Sequence, residues 1–383
     1  MRVLLEAIGQ RGNLFVNYRF FSSESVSSGH PDKICDQISD AILDACLIQD
    51  VYSHTAIECL ATVDHLTIAG EVKSKAKVDF IKTARRIIRS LGYTEPLFRF
   101  TCDSPIDNFI HQQSADIALG VDKGGAGDQG MMFGYATDET AEYMPLPIMI
   151  AHKLTKRLDA VRENKLLPFL RPDGKSQVKI RYRNGIPVSV DKVVLAVPCD
   201  PEITNSELKK ELFKHVAMPV LDYFGFECLL KNLTVNGTGK WEIGGPASDT
   251  GVTGRKIIVD TYGGMGRHGG GCFSGKDLTK VDRCAAYATR FLAKNIVAGK
   301  MAKRCEVQVA YVIGHRQPTV KSVETFGTEN IDKRKIDKYA WNLLDLSVPG
   351  IINGLNLLQP IYLKTACYGH FGRSEFPWEK IIN

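Results

Sequence analysis

The sequence predicts an α/β chain of three similar units, each a small sheet covered on one face by helices. At 383 residues it exceeds what a single hydrophobic core usually serves. Its apolar and charged contents, 44% and 24%, are those of a globular protein. An order of helix, hairpin, helix recurs three times, beginning near residues 32, 146 and 277.

In the first unit a helix starts near Asp32, with Pro31 at its first turn. Ile34, Ile38, Ala41, Ile42, Ala45 and Ile48 recur at helical spacing and predict one buried face. The strands "AIECLATVD" and "LTIAGEV" follow, then a helix over 73–91 closed by Gly92. The second unit has a helix over 147–164 with Ala151, Leu154, Leu158 and Val161 on one face. Its hairpin, "QVKIRYR" and "IPVSVDKVVLAV", turns at Asn184-Gly185, and a helix over 206–224 comes next. In the third, "RKIIVDTY" (255–262) reads as a strand because β-branched residues cluster in a short apolar run. A helix over 277–299, strands "EVQVAYVIG" and "TVKSVETFG", and a helix over 332–345 complete it.

The net charge of +6 is modest, and the cations gather around glycine-rich loops. That suits a small anionic ligand and argues against a nucleic-acid groove. Ten cysteines are scattered without a C-x-x-C pair, as in a cytoplasmic protein with reduced thiols. No apolar run reaches membrane-spanning length. The first twenty residues carry three arginines and one acid and read as a short extension rather than a transit segment.

Chemistry concentrates in 249–283. A glycine-saturated loop (263–275) is flanked by Arg255 and Lys256 before it and Lys276 and Lys280 after it. Glycines let backbone N–H groups approach an anion, and a helix N-terminus adds positive charge, so the stretch reads as a polyphosphate site. Lys276 and Lys280 would share one face of the helix start. Two partial motifs mislead here. "GMGRHG" matches the dinucleotide fingerprint without a helix opening after it, and "GGCFSGKD" has Asp277 where a P-loop needs Ser or Thr. The competing reading is a glycine-rich surface loop beside a solvated basic face.

"SESVSSGHPDK" (23–33) sets Glu24, His30, Asp32 and Lys33 at a loop entering a helix. Asp32 suits Mg²⁺ beside phosphates, and equally suits an ordinary first-turn acid. His30 reads as an anion contact or as a satisfied core histidine. Asp128 in "GGAGDQGMMFGYATDET" favours a turn or accepts from a nucleoside; Lys175 in "RPDGKSQV" precedes a strand. Trp241, among glycines, reads as a purine-stacking face or as a core tryptophan.

These motifs, with "GAGDQGMMFGY" and "GGGCFSGKD" the most specific, resemble the S-adenosylmethionine synthetase (methionine adenosyltransferase) family over 21–380. The resemblance implies attack of methionine sulfur on C5′ of ATP, then hydrolysis of the expelled tripolyphosphate to phosphate and diphosphate. It implies three βαββαβ-like domains about a pseudo-threefold axis, with boundaries at 21–118, 126–243 and 244–383 and a gate loop that includes 119–125. His30, Lys175, Arg255 and Lys276 would be catalytic. Asp173, Lys240, Trp241, Asp249, Lys256, Cys272 and Ile313 would complete the ATP site. Glu71, Gln113, Asp249 and Lys280 would bind methionine. Asp32 would hold Mg²⁺, with Glu24 and Asp282 nearby and two Mg²⁺ per site, and Glu58 would hold K⁺. Members form dimers with active sites shared between chains, often paired into tetramers, with no nucleic-acid or membrane partner. The sequence departs from the pattern in a shortened gate (113–125), an unmatched N-terminus and a short C-terminus. The alternatives are an ATP or tripolyphosphate hydrolase and a non-catalytic regulatory subunit.

Overall fold

The structure, a computed structural model, describes residues 20–112 and 125–382. The N-terminal extension, the gate over 113–124 and Gln113 lie outside the described residues. First come β1 (Phe20–Val26), α1 (Pro31–Gln49), β2 (His54–Thr62), β3 (His65–Lys73), α2 (Phe80–Ser90) and β4 (Ile106–Gln112). Next are β5 (Gly130–Thr137), α3 (Leu146–Glu163), β6 (Lys175–Arg183), β7 (Ile186–Ala196), α4 (Asn205–Leu212), α5 (Met218–Tyr223) and β8 (Leu233–Val235). The last stretch holds β9 (Gly251–Val252), α6 (Ile257–Asp260), α7 (Val281–Ala298), β10 (Arg304–Tyr311), β11 (Val320–Glu324), α8 (Lys333–Leu343) and α9 (Val348–Gly354). The first two stretches thus run β-α-β-β-α-β, and the third follows the same order without a closing strand among the described residues.

The sheets are ordered β4-β3-β2-β9, β1-β6-β7-β8 and β11-β10-β5. Each is built on one hairpin and takes one strand from another stretch: β1 pairs with β6, β5 with β10, and β9 with β2. The exchange is cyclic, so each stretch completes its neighbour's sheet. One long helix covers each sheet: α1 on β2, α3 on β1 and β6, α7 on β5 and β10. On β2 the period of two buries Thr55, Ile57, Cys59 and Ala61 and leaves Glu58 and Leu60 on an open face. At the second hairpin Asn184 and Gly185 have φ of 52° and 76°, the positive pair a type I′ turn requires.

Several sequence expectations change. The run 255–262 is not a strand; it contains the single helical turn α6. Neighbouring residues of α1 explain why, since Asp32 pairs with Lys256 and Lys33 with Asp260. A helix brings residues four apart within about 6 Å along its axis, whereas a strand would separate them by about 13 Å. The helix expected from Asp277 begins at Val281, because 275–277 instead joins the edge of β2 through Ile57 N to Gly275 O and Asp277 N to Thr55 O, both 3.1 Å. Lys276 therefore bridges Ala56, and Lys280 caps the helix with extended backbone, so the two do not share a helix face. The helix expected over 73–91 starts only at Phe80, capped by Asp79. The one over 206–224 contains a π turn, Phe213–Ala217, ahead of Pro219. Proline has no N–H for the His215 carbonyl, which accepts instead from Arg157 Nε at 2.9 Å. Finally, α1 is buried on its polar side as well as its apolar one, and Ile48 is exposed.

Candidate active site

The polar side of α1 organises the site. Asp32, Asp36, Asp40 and Asp44 recur every fourth residue, and each accepts backbone N–H groups from a distant loop. Asp32 takes Val252 at 2.9 Å, Asp36 takes Gly254 at 2.8 Å and Asp40 takes Gly275 at 2.9 Å. Asp44 takes Tyr362 and Leu363 at 3.0 and 2.9 Å. The first three aspartates thus hold two segments, 252–254 and 275, which lead into the cations singled out from the sequence. Of the four acids only Asp32 stood out there, although the spacing itself was the available signal.

A first group of charges surrounds the N-terminus of α1. His30 caps the helix, its Nδ1 accepting from Asp32 N at 3.2 Å, which places the ring proton on Nε2. That nitrogen is buried and has no hydrogen-bond partner among the described residues. Burial, with Lys256 and Lys175 adding to it, pushes the His30 pKa down to about 3, so the ring is a neutral donor. Lys256 Nζ lies 2.5 Å from Asp32 Oδ2, and the half-exposed Arg255 lies 3.6 Å from Asp32 Oδ1. Lys175 opens β6 opposite Val26, and exposed Glu24 sits two residues back on the same face of β1. No hydrogen bond or ion pair among the described residues joins Glu24 to Asp32 or Asp282. The two loops meet because Gly29 leaves room: a Cβ there would stand 2.2 Å from Pro172 O.

Behind Lys175, both carboxylate oxygens of Asp173 accept backbone N–H, from Gly174 and Gly245 at 2.7 Å each. Burial pushes the Asp173 pKa up to about 7. This clamps the loop bearing Trp241 and Asp249. Trp241 is half-buried, with Nε1 donating to Ile243 O at 2.8 Å, and Asp249 is exposed. Lys240 turns to Pro201 O at 2.6 Å.

The second group centres on Lys276, whose Nζ lies 2.5 Å from Asp282 Oδ2 at the first turn of α7. Gly271 makes space for it, since a Cβ there would stand 2.2 Å from Asp282 Cγ. Cys272 packs on Gly254; burial raises its thiol pKa, and Lys276, Asp36 and Asp282 act on it. Ala56 is opposite both Lys276 and Glu71, and Glu71 is opposite His111. Side chains in one lateral row share a face, so Lys276 and Glu71 share the open face, with Glu58 two residues along. Lys280 is tied to buried Asp277, which also accepts from Thr55 N at 2.9 Å. Exposed Ile313 adjoins Gly314, whose N–H donates to Ala126 O at 2.8 Å. Among the described residues no hydrogen bond or ion pair joins the first group directly to the second, although Cys272 packs on Gly254 beside Arg255.

Among the described residues no three His, Cys, Asp or Glu side chains converge to hold a metal. Asp32 and Asp282 instead stand as single buried or half-buried carboxylates beside lysines. That donor set fits Mg²⁺, which takes one or two carboxylates and fills its shell from phosphates and water.

Three interlocked sheets thus bring a neutral imidazole donor, two carboxylates paired with lysines, and further lysines together on glycine turns around α1. The chain belongs to the S-adenosylmethionine synthetase family. That family's N-terminal, central and C-terminal domains match residues 18–115, 123–241 and 243–380. The chain is 51% identical to the S-adenosylmethionine synthase of Treponema denticola, covering 95% of this chain and 96% of the relative. It is 50% identical to that of Clostridium tetani, covering 95% and 97%, and 49% identical to that of Desulforudis audaxviator, covering 94% and 95%.

Proposed function

We infer that this chain makes S-adenosylmethionine from ATP and L-methionine. The observation that carries the reading is the buried, unpartnered Nε2–H of His30 at a helix N-terminus, beside Lys175, Lys256 and Asp32. Thioether sulfur is a competent neutral nucleophile, so no general base is needed. The demand falls on the leaving triphosphate, whose charge grows as the C5′–O bond breaks. His30 donates to it near that bond, and Lys175, Arg255, Lys256 and Lys276 hold its oxygens; preorganised donors and cations of this kind supply large catalytic terms. Trp241 stacks on adenine with Ile313 opposite, Asp173, Lys240 and Cys272 line the nucleotide, and Asp249 touches both substrates. Glu71, Gln113 and Lys280 orient methionine.

The family uses a divalent metal. Here Asp32, with Asp282 and Glu24 nearby, would hold Mg²⁺, two ions per site, and Glu58 would hold K⁺. Bound Mg²⁺ neutralises phosphate charge. The domains are 21–118, 126–243 and 244–383. Two copies pair so that the His30 group of one faces the Lys276 group of the other, and pairs of dimers form tetramers in the cytoplasm. Phe109, exposed on the open sheet face, supports the pairing. No helix among the described residues is long and apolar enough to cross a membrane. A bare ATP or tripolyphosphate hydrolase and a regulatory subunit are not favoured, since Glu71 and Lys280 are in place and the phosphate-site residues are intact.

The test is incubation with ATP, Mg²⁺ and K⁺, with and without methionine. S-adenosylmethionine with matching phosphate and diphosphate, formed only with methionine, is expected. Phosphate without adenosylated product means a hydrolase, and no reaction by a folded protein means a regulatory subunit.

A further inference from the structure

Lys276 is gripped from two sides by adjacent residues of α7. Asp282 takes its ammonium, and Arg283 takes its backbone. Arg283 is fully buried, and its guanidinium forks onto Asp40 at 2.6 and 2.9 Å. The same Nη1 donates to Phe273 O and Lys276 O, both at 3.0 Å. Asp40 Oδ1 also accepts Gly275 N at 2.9 Å. One ion pair therefore fixes three backbone groups within the four residues 273–276. The remaining donors are used as well, Nε on Tyr287 at 3.0 Å and Nη2 on Thr365 at 3.2 Å. Gly275 lets the segment lie this close, since φ is +83° and a Cβ would stand 2.0 Å from Ile57 O.

We propose that Arg283 and Asp40 are positioning residues that set Lys276 at the polyphosphate. Neither side chain reaches the site itself, because both are spent on buried backbone and on each other. The planar fork is needed: a lysine ammonium keeps the charge but cannot meet Asp40 and two carbonyls in one plane. The proposal rests on Lys276 holding phosphate, as inferred above.

A double-mutant cycle on tripolyphosphate hydrolysis and on S-adenosylmethionine formation tests it, using Arg283→Lys, Lys276→Ala and their combination. Arg283→Lys is expected to lose on the order of a hundredfold in kcat/KM for tripolyphosphate, as small misplacements do. Its methionine KM should stay near wild type, and the double variant should be no slower than Lys276→Ala alone. Multiplied losses, or a wild-type Arg283→Lys, overturn the proposal. Full turnover by Lys276→Ala is a separate result, which removes the phosphate reading and this proposal with it. Asp40→Asn, which keeps an acceptor for Gly275, repeats the cycle if Arg283→Lys does not fold. Hydrogen exchange on the unaltered protein decides the matter if neither variant folds. The Gly275 amide should be as protected as the α7 amides, and exchange as fast as at Gly269 and Gly271 overturns the pinning.

Discussion

Asp32 and Lys256 meet carboxylate to ammonium at 2.5 Å although 224 positions separate them in the chain. The contact joins the start of α1 to α6, and it holds both a metal-competent acid and a phosphate-competent cation beside His30. Lys256→Met removes the cation while keeping the aliphatic length. It should lower kcat/KM for ATP by about 10²-fold, the loss typical of one preorganised donor. Steady-state kinetics check this, and methionine KM should change less.

Trp241 presents a half-buried indole on the loop clamped by Asp173. Trp241→Ala should weaken nucleotide binding by about 1–3 kcal/mol, the usual worth of a base–aromatic stack. Calorimetric titration with a non-hydrolysable ATP analogue and with methionine separates the two. Equal weakening of both would undo the stacking role.

Burial pushes the His152 pKa down to about 3, against 6.5 when exposed. Between those values the unfolded chain binds a proton that the fold does not. The term is therefore fully stabilising above 6.5 and is lost as pH falls toward 3, at up to about 1.4 kcal/mol per unit. His152→Gln does not titrate. Its stability deficit by urea unfolding at pH 7.5 should shrink by about 2 kcal/mol at pH 5. A deficit independent of pH would mean that the ring titrates normally in the fold.

Gly134 on β5 is where α7 comes closest to its sheet: a Cβ would stand 2.0 Å from the Thr289 carbonyl carbon and 2.3 Å from Arg290 N. Neither backbone atom can rotate away. Gly134→Ala should cost about 3 kcal/mol or more, the upper end of overpacking, read as a lower midpoint in denaturant.

The helices and hairpins were legible because their apolar periods are local: Ile34, Ile38 and Ile42 for α1, and Asn184-Gly185 for the second turn. The exchange of β1, β5 and β9 between sheets was not, since nothing in a short strand names a partner far along the chain. The same limit explains α6, where the β-branched run favoured a strand until Asp32 and Lys33 fixed the spacing of Lys256 and Asp260. Candidate site residues such as His30 and Lys276 stood out through motifs. Asp36, Asp40 and Arg283 were missed because buried charges resemble surface ones in a sequence, although the fourfold spacing of the α1 aspartates was visible.

Mixing two inactive chains tests most directly whether the His30 and Lys276 groups build one site across two copies. In a hybrid of His30→Ala with Lys276→Ala, one site carries both defects and the other carries neither. Random pairing should therefore restore about a quarter of wild-type synthesis, as two-fold symmetry requires. No recovery, with hybrids confirmed by native mass spectrometry, would contradict a shared site.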